Sequence, residues 1–557
     1  MTTPAYLNPV YPHSFPDPFV LKVRGEYWGY CTGFWHDGRA FGIARSPDLV
    51  HWTPMAGALE PLPGGHTCYW APEVSGFEGR FYLYYSVGNE ERMEIRVAVA
   101  DHPAGPFADS GRRLTSEPFA IDAHVFTDTD GGRWLFYATD FLDHSHIGTG
   151  TVRDRLLDPF TLEGNPRPVA LPRHDWHVYH PNRPEKGFVR WHTVEGPFVL
   201  RRKGRYYEMF SGGNWQNPTY GVAFATTTDL AQPEEWEQAP LPILRSGGEV
   251  VGPGHNSVVR GPDNRQLYCV YHRWSPDLKE RVMAIDPLDF VGDRMIVLGP
   301  TTTPQPAPNP PTISDSAVLE PGEERRYPVA SSFLLEATVR GGCEMVFPGE
   351  KGPLRIDLSS DLPRLVRVEA DGPRVAVSFD NGPSRLETAG GETATVVLAA
   401  TGRSAEIAGL EITLGWEDLF EDIGGRLRLD GPAWIAKGPD FPSYLAVINV
   451  RLDGEGAYAF APALAQEDGP WLVLGGREGA WTLEHGEHIL PLPAGFDPTT
   501  DQQFRVRKTG GEAEVAWEGH RLGVVAVPAG PSRLGLGSRR GPASFEAVRL
   551  TAIQTGK

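Results

Sequence analysis

Cysteine is scarce in this sequence. There are four cysteines in 557 residues, and no two of them have the Cys-x-x-Cys spacing that zinc ribbons and thioredoxin-like redox motifs use. The four are Cys31, Cys68, Cys269 and Cys343, and three of them fall in or beside predicted strands. We therefore predict buried free thiols, and neither a zinc ribbon nor a disulfide scaffold.

Long apolar runs and an excess of basic residues are also missing. No stretch approaches the roughly 18 apolar residues that a membrane-spanning helix needs. Lysine and arginine number 52 against 71 aspartates and glutamates, for a formal net charge of -19. Nucleic acids and anionic membranes attract basic patches, so this balance argues against both as partners. The start, MTTPAYLNPVYPHSF, lacks the basic residues and apolar core of a signal peptide, and we expect a cytoplasmic protein.

Long amphipathic helices are a third absence. The 64 glycines and 52 prolines are consistent with many turns and lie below the level typical of disordered chains. At 557 residues the chain is too long for one core, so several domains are expected. The predicted fold class is therefore all-β.

One aromatic segment recurs five times in the first 290 residues. The copies are GEYWGYCTG (Gly25–Gly33), GRFYLYYSVG (Gly79–Gly88), GRWLFYATD (Gly132–Asp140), GRYYEMFSGG (Gly204–Gly213) and RQLYCVYHRW (Arg265–Trp274). A short apolar strand precedes each copy, and a third strand follows most of them. Repeats of several strands each are typical of β-propellers, and five copies predict five blades.

The strand before each aromatic segment carries an acid or a histidine. These strands read PDPFV, APEV, IDAHVF, VEGPFV and GHNSVV, and in a propeller they would line the central channel. The sequence therefore predicts that five side chains converge at the channel mouth: Asp17, Glu73, Asp122, Glu195 and His255. Converging carboxylates on a rigid scaffold indicate acid/base chemistry.

The remainder of the chain has a different pattern. A Pro-rich stretch, GPTTTPQPAPNPPT (Gly299–Thr312), has the composition of a linker. Beyond it, apolar and polar residues alternate with period two, as in FLLEATV and LAVINVRL, which predicts β-sandwich structure. We predict a propeller at 1–298, a linker at 299–314, a β-sandwich at 315–415 and a second sandwich at 416–557. The last region resembles a concanavalin-type sandwich, which could bind glycan, reach the active site with a loop, or only stabilise.

Three carboxylates stand out individually. Asp17 lies between Pro16 and Pro18, which restrict its backbone, so it is either a rigidly held base or a turn residue. Glu195 begins the same order of acid, proline and strand, and its alternative is a solvated loop position. Asp122 lies in an apolar strand, where a charge is costly unless it is paired or functional.

In combination these motifs resemble the family 43 glycoside hydrolases, over residues 1 to about 298. The matching segments are PDPFV, SPDLVHW, WAPEV, IDAHVF, VEGPFV, GHNSVV and YHRW, in that order. The resemblance implies a five-bladed propeller that hydrolyses glycosides with inversion. It also implies that Asp17 is the general base, that Glu195 is the general acid, and that Asp122 raises the pKa of the acid and orients it.

The resemblance implies further roles around this trio. Glu73 would lie near the sugar, where many family members have aspartate. His255 would face the channel and help to hold a cation, often calcium, although one histidine is by itself a poor calcium site. No cofactor is required. Arg273 would reach the sugar or the acid cluster, with a blade-closing salt bridge as the alternative.

Aromatic side chains are the remaining candidates for sugar binding. Phe34, Trp70 and Trp215 could stack on the apolar face of a sugar or could simply pack inside blades. The long segment from Asp158 to Thr193 contains HDWHVYH, whose spacing is not that of a zinc helix. A loop that walls the pocket is the favoured interpretation of this segment, and a metal site is the alternative.

The sequence therefore predicts an inverting exo-glycosidase that removes terminal pentose residues from plant-type oligosaccharides. An α-L-arabinofuranosidase is favoured. The alternatives are a β-D-xylosidase, another family 43 specificity such as a galactosidase, and a non-catalytic sugar-binding propeller. A retaining fructan hydrolase is disfavoured because the chain lacks the Asn-Asp-Pro-Asn-Gly nucleophile motif.

Overall fold

A computed structural model describes residues 5–89, 91–231, 236–391, 394–419, 424–431, 433–452, 457–464, 472–477, 480–493, 496–497 and 499–554. In these ranges the only helical elements are two three-residue 3-10 turns, Asp175–His177 and Pro184–Lys186. The same ranges contain no helix that is long and apolar enough to cross a membrane. The prediction of an all-β fold is confirmed.

The first 300 residues form five sheets, which we number as blades in chain order. Blade 1 consists of Phe19–Val23, Glu26–Tyr30, Ile43–Ser46 and Thr53–Pro54. Blade 2 consists of Cys68–Phe77, Arg80–Gly88, Met93–Ala100 and Ala108–Arg113. Blade 3 consists of Ala120–Thr127, Arg133–Phe141, Gly148–Asp158, Thr161–Leu162, Arg167–Pro168, Val178–Arg183 and Val189–His192. Blade 4 consists of Val194–Arg202, Arg205–Gly212, Gly221–Thr227, Glu237–Gln238 and Leu244–Arg245. Blade 5 consists of Tyr11–Ser14, Gly254–Arg260, Leu267–Trp274, Arg281–Val291 and Arg294–Val297.

The five blades close into a ring. When Gly254–Arg260 is taken as the first strand of blade 5, the first strand of each blade contacts the first strand of the next, and that of blade 5 contacts that of blade 1. The N-terminal strand Tyr11–Ser14 completes the last blade by pairing antiparallel with Arg281–Val291. These contacts confirm a five-bladed propeller whose first strands, called the inner strands below, surround the channel.

The repeated aromatic segments form the second strand of each blade, as their sequence pattern predicts. One tyrosine from each of these strands is fully buried: Tyr27, Tyr84, Tyr137, Tyr207 and Tyr271. In blades 1, 2 and 4 a two-residue turn joins the inner strand to this strand, at Arg24–Gly25, Glu78–Gly79 and Lys203–Gly204. Both residues of each turn have positive φ, which is the geometry of a type I′ hairpin and explains the repeated glycine.

The four cysteines are all buried and free, as predicted. The Pro-rich stretch after blade 5 is held against the propeller at two places. The Thr301 hydroxyl donates to an Asp286 carboxylate oxygen at 2.6 Å, and the Asn8 amide donates to the Thr301 hydroxyl oxygen at 3.0 Å. Further along, Gln305–Pro306 pairs with Ala5–Tyr6. The segment is thus fixed by side-chain and backbone hydrogen bonds.

The C-terminal half contains two sheets. The larger has 14 strands: Ile313–Leu319, Glu324–Pro328, Ser332–Phe347, Leu354–Asp357, Ser360–Asp371, Arg374–Phe379, Arg385–Thr388, Thr395–Trp416, Arg426–Leu429, Ser443–Leu452, Gln502–Thr509, Glu512–Trp517, His520–Ala526 and Ala543–Ala552. The smaller has six strands: Ala433–Phe441, Ala457–Leu464, Leu472–Arg477, Ala480–His485, His488–Pro491 and Ser532–Arg540.

Two apolar cores lie in this half, one built from residues 319–412 and the other from residues 416–550. The 22-residue strand Thr395–Trp416 connects them. Most of it packs in the first core, and its last two residues pair with the closing strand Ala543–Ala552 of the second. The larger sheet therefore continues through both cores.

The C-terminal half covers one face of the propeller. The turn of blade 1 meets it through Lys22, whose ammonium group lies 2.6 Å from the Glu411 carboxylate. The turns of the other blades meet it at Leu362–Pro363, Pro383, Asp418 and Asp501. In blades 1 to 4 these turns lie at the far ends of the inner strands from Asp17, Asp122 and Glu195. In blade 5 the turn is the one at Gly292, between Arg281–Val291 and Arg294–Val297. The contacts enclose a cavity of about 610 Å³ behind the channel and leave the acid-bearing face to the propeller loops.

Candidate active site

A repeated backbone feature brings the candidate side chains together. One residue near the start of each inner strand has a left-handed φ: Asp17 (52°), Ala71 (41°), Asp122 (62°), Gly196 (59°) and His255 (48°). In blades 2 to 5 the pairing with the neighbouring strand shifts at this point, as in a β-bulge. Left-handed φ is costly for residues other than glycine and is often found at functional sites. The bulge explains how side chains from different blades reach the channel at one level.

A chamber of about 20 Å³ lies on the channel axis at this level. All five blades contribute short runs of residues to its wall: Asp17–Phe19, Ala71–Glu73, Asp122–Ala123, Gly196–Pro197 and His255–Ser257. The structure therefore brings Asp17, Asp122 and His255 together at the channel. Glu195 directly precedes the bulge residue of blade 4 and joins them.

Asp17 lies among positively polarised groups of blade 5. Its Oδ1 atom is 2.7 Å from a guanidinium nitrogen of Arg281, 3.1 Å from His272 Nδ1 and 3.5 Å from His255 Nδ1. Burial by itself raises the pKa of the Asp17 carboxyl. The Arg281 charge and the two histidines outweigh burial and hold this pKa well below its usual value. Asp17 is therefore ionised throughout the neutral and mildly acidic range.

The two histidines beside Asp17 are kept neutral. Burial lowers the pKa of His272 to about 4, with help from the Arg281 charge. Burial also lowers the pKa of His255. The His272 ring stacks on Tyr220 with centroids 5.7 Å apart, which fixes its plane. Arg281 thus supplies the full positive charge that compensates Asp17.

Glu195 has the opposite electrostatic environment. Burial raises the pKa of its carboxyl to about 7. The Tyr220 hydroxyl donates to Oε1 at 2.8 Å and opposes this rise, whereas the Asp17 charge adds to it. The charges of Arg281 and Arg183 lower this pKa by smaller amounts. Near neutral pH a large fraction of Glu195 is consequently protonated.

Asp122 is buried beside the same pair. Burial raises the pKa of its carboxyl well above the usual value, and the charges of Glu195 and Asp17 add to the rise. Its Oδ2 atom accepts a hydrogen bond of 3.0 Å from the Gly196 backbone N–H, and its own N–H donates to Ser86 Oγ at 3.0 Å. Asp122 therefore holds the peptide that follows Glu195. That contact is a means of orienting the acid.

The arrangement pairs an ionised carboxylate with a protonated one across a single channel mouth. Hydrolysis of a glycosidic bond with inversion needs this pair, because one carboxylate must accept a proton from water and the other must donate one to the leaving oxygen. The opposite pKa shifts of Asp17 and Glu195 match those two roles.

Glu73 is hydrogen-bonded to the neighbouring blade. It lies two residues after the bulge at Ala71. Its carboxylate is 2.8 Å from His124 Nδ1 and accepts the Val125 backbone N–H at 3.0 Å. Asp17 and Asp122 are themselves the residues with left-handed φ, whereas Glu73 comes two residues later in its strand and therefore lies further along the channel wall. Glu73 ties blade 2 to blade 3 and also lines the chamber beside Asp17 and Asp122, so its role in substrate binding stays a prediction.

Arg273 points away from Asp17. Its buried guanidinium donates to the Thr301 carbonyl oxygen at 3.1 Å, in the segment after the propeller. Burial raises the pKa of the Asp286 carboxyl, and the Arg273 charge opposes this rise. Adjacent residues of a strand point to opposite faces, so His272 of the same motif reaches Asp17 instead. The guanidinium at the site is that of Arg281, which the sequence reasoning missed together with His272 and Tyr220. The period-two alternation in YHRW was the signal that could have identified His272.

The three candidate stacking residues lie at different depths. The Phe34 side chain is 54% exposed and packs edge-on against Tyr69. Trp215 is partly exposed, stacks on Trp274 with centroids 6.0 Å apart, and has the Arg281 guanidinium 4.5 Å above its ring. Trp70 is partly buried against the apolar cluster of blades 2 and 3. Of the three, Trp215 is the one that contacts Arg281, and Arg281 in turn binds Asp17.

The long segment between blades 3 and 4 lies beside Glu195. Its short turn Asp175–His177 accepts the Thr193 N–H at the His177 carbonyl, at 2.8 Å. The Asn214 amide donates to the Tyr179 carbonyl at 2.9 Å. Within the part of the chain that the structure describes, no group of three or more histidines, cysteines or acids is placed to hold a metal. The residues around His255 therefore do not provide the six to eight oxygen ligands that calcium prefers, and no chemical step is derived through such an ion.

Residues 6–296 match the family described as Glycosyl hydrolases family 43. The chain belongs to this family. Beta-D-galactofuranosidase xynD of Aspergillus niger is 32% identical over 291 residues, which cover 48% of this chain and 76% of that protein. An extracellular exo-alpha-(1->5)-L-arabinofuranosidase of Streptomyces chartreusis is 30% identical, over 42% of this chain and 69% of that protein. A crystal structure of a thermostable family-43 glycoside hydrolase is 33% identical, covers 54% of this chain and 99% of that chain, and has a TM-score of 0.49.

Family membership makes this protein an inverting glycoside hydrolase with a carbohydrate substrate. The matched residues coincide with the five blades, so the family resemblance inferred from the motifs is confirmed. The residues that bear the opposite pKa shifts, Asp17 and Glu195, lie within the matched range.

Proposed function

We propose that this family 43 enzyme removes terminal furanose residues from oligosaccharides, and that its preferred substrate is an α-L-arabinofuranoside. In this proposal Asp17 is the general base, Glu195 is the general acid and Asp122 orients the acid. The observation that carries the catalytic part is the pairing of a carboxyl with lowered pKa and a carboxyl with pKa about 7 at one channel mouth. A purely sugar-binding propeller has no need of that pairing.

The furanoside part of the proposal is supported by the relatives. Two relatives that are at least 30% identical are named for activity on galactofuranosides and arabinofuranosides, and both names specify a five-membered sugar ring. The Streptomyces enzyme is also named as exo-acting. A β-D-galactofuranosidase is therefore the second candidate. The cytoplasmic location and the calcium near His255 stay predictions.

A panel of p-nitrophenyl glycosides tests the substrate. We expect kcat/KM to be highest for the α-L-arabinofuranoside, compared with the β-D-galactofuranoside, β-D-xyloside, α-L-arabinopyranoside and β-D-galactoside. Proton NMR of the first-formed sugar is expected to show the anomer opposite to that of the substrate, because water attacks from the face opposite the leaving group. Preference for a pyranoside would overturn the furanoside assignment, and release of the same anomer would overturn the assignment of Asp17 as base.

The pH dependence of kcat/KM tests the role of Glu195. Glu195 must be protonated to act as an acid, so activity should fall as the pH rises through about 7. Asp17 must be ionised, and its lowered pKa puts the acidic limb below about 4, the usual value for aspartate. The Tyr220 hydrogen bond stabilises the Glu195 carboxylate, so Tyr220→Phe should shift the basic limb to higher pH.

The matched control is Tyr206→Phe, which removes another tyrosine that donates to a carboxylate, at Asp128, outside the channel mouth. Its basic limb should coincide with that of the wild type. An unchanged limb in Tyr220→Phe, or the same shift in both variants, would contradict the assignment of the limb to Glu195.

A further inference from the structure

Arg183 lies on the side of the site where the leaving group must be. Arg281 is bound to Asp17, whereas Arg183 ends the strand that follows the turn hydrogen-bonded to Thr193, two residues before Glu195. Against the rise caused by burial, the charges of Arg281 and then Arg183 both lower the pKa of the Glu195 carboxyl. A general acid donates its proton to the leaving oxygen, and the base acts from the opposite face of the sugar. Arg183 is carried by the chain segment hydrogen-bonded beside Glu195 and not by the groups bound to Asp17, which puts it on the side of the leaving group.

Near its own beginning, the strand that ends at Arg183 is hydrogen-bonded to residues that flank the first and second strands of blade 4. Arg183 ends the strand Val178–Arg183, which pairs with Val189–His192. At its start, His177 accepts the Thr193 N–H, two residues before Glu195, and Tyr179 accepts the Asn214 amide, next to Trp215. The strand thus runs along the edge of the channel mouth between Glu195 and Trp215.

Neighbouring side chains orient the Arg183 guanidinium without forming strong hydrogen bonds to it. Its guanidinium carbon lies 5.1 Å from the ring centroids of both Tyr179 and Trp191, and such cation–π contacts fix the plane of a guanidinium. Its ion pair is with Glu185 at 3.8 Å, a distance too long for a strong hydrogen bond, and the Glu185 side chain is 74% exposed. The Arg183 side chain itself is 25% exposed. With one long ion pair and a partly exposed side chain, the guanidinium keeps N–H groups that a ligand could use.

We propose that the segment between blades 3 and 4 forms the binding site for the leaving-group sugar, and that the Arg183 guanidinium donates hydrogen bonds to hydroxyl oxygens of that sugar. This inference rests on the proposed function, because it takes Glu195 as the general acid. The segment would then make the enzyme select oligosaccharides over glycosides whose leaving group is not a sugar.

Two substrates with the same terminal sugar test the inference in the full-length enzyme. They are 1,5-α-L-arabinobiose, whose leaving group is a sugar, and p-nitrophenyl α-L-arabinofuranoside, whose leaving group is a phenolate. We expect Arg183→Ala to lower kcat/KM on arabinobiose by roughly 10- to 100-fold, as for loss of hydrogen bonds from a charged donor. The same variant should stay within about twofold of the wild type on the aryl glycoside.

Arg190→Ala is the matched control. Arg190 lies on the paired strand of the same segment, but its side chain is 56% exposed and its partner is Asp175, at 2.9 Å. This variant should behave like the wild type on both substrates. Equal losses on the two substrates in Arg183→Ala, or no loss on either, would overturn the inference and leave the proposed function standing.

The choice of sugar keeps the two proposals separable. If the glycoside panel selects a sugar other than arabinofuranose, the furanoside proposal fails, and the same comparison is made with the disaccharide and aryl glycoside of the selected sugar. A selective loss on that disaccharide would still support the role of Arg183, and a uniform result would refute it.

Discussion

Replacing Asp17 by asparagine is expected to lower kcat/KM by at least about two orders of magnitude on every substrate, the lower end of the effect of removing a general base. The amide has the shape of the carboxylate but cannot take a proton from the attacking water. Steady-state kinetics on the aryl glycoside and on arabinobiose would measure the loss. The loss should be similar for both, because water must be activated whatever group leaves.

The structure suggests how to separate this effect from a loss of folding. Asp37→Asn changes an exposed aspartate in a loop of blade 1 that accepts backbone hydrogen bonds from Arg39 and Gly57, and it should leave activity unchanged. Circular dichroism would show whether Asp17→Asn is folded. Near-full activity of a folded Asp17→Asn variant on both substrates would contradict the assignment of Asp17 as base.

The placement of Asp17 also shows why motif order was a reliable guide to which carboxylates converge at the channel. Asp17 and Asp122 occupy the same position in their inner strands, the residue with left-handed φ, and Glu195 is one residue before it. Because the same backbone turn recurs at the same sequence position, side chains from distant blades lie at the same height along the channel. The sequence pattern alone was sufficient to predict that convergence.

The contacts of Glu73 and Arg273 could not be predicted from the sequence. Position 73 lies two residues past the bulge, so the acid of blade 2 is out of register with those of blades 1 and 3. The sequence does not show where a bulge lies, because the extra residue shifts the alternation by one position at a point that a short apolar run does not mark. Arg273 and His272 are adjacent, and only the face of the strand decides which reaches Asp17. Arg281 follows a loop, and its approach to Asp17 depends on the closed ring.

The C-terminal half shows a similar limit. Alternation of apolar and polar residues predicts strands well, but it does not say which strand of one core continues into the next. The continuity of Thr395–Trp416 across residues 412–416 depends on pairing with Ala543–Ala552, more than 130 residues later. Such long-range pairing is set by tertiary packing rather than by local pattern. The position of this half on the far face of the propeller likewise followed only from the structure.

Replacing Glu195 by glutamine is expected to reduce activity in a way that depends on the leaving group. On arabinobiose, kcat should fall by at least about two orders of magnitude, because the sugar alkoxide must be protonated as it leaves. On aryl glycosides the loss should shrink as the phenol becomes more acidic, because a good leaving group needs no proton. The slope of log kcat against phenol pKa should therefore be steeper in the variant than in the wild type.

A second readout comes from the pH profile of the same variant. Glutamine does not titrate, so the basic limb near pH 7 that belongs to the Glu195 carboxyl should disappear on the activated aryl glycoside. Asp17→Asn serves as the comparison, since loss of the base should give no rescue by good leaving groups. An equal loss across all leaving groups in Glu195→Gln, with the basic limb retained, would show that another group donates the proton. Asp122 would then be the first to examine, because its pKa is also raised and it hydrogen-bonds to the peptide next to Glu195.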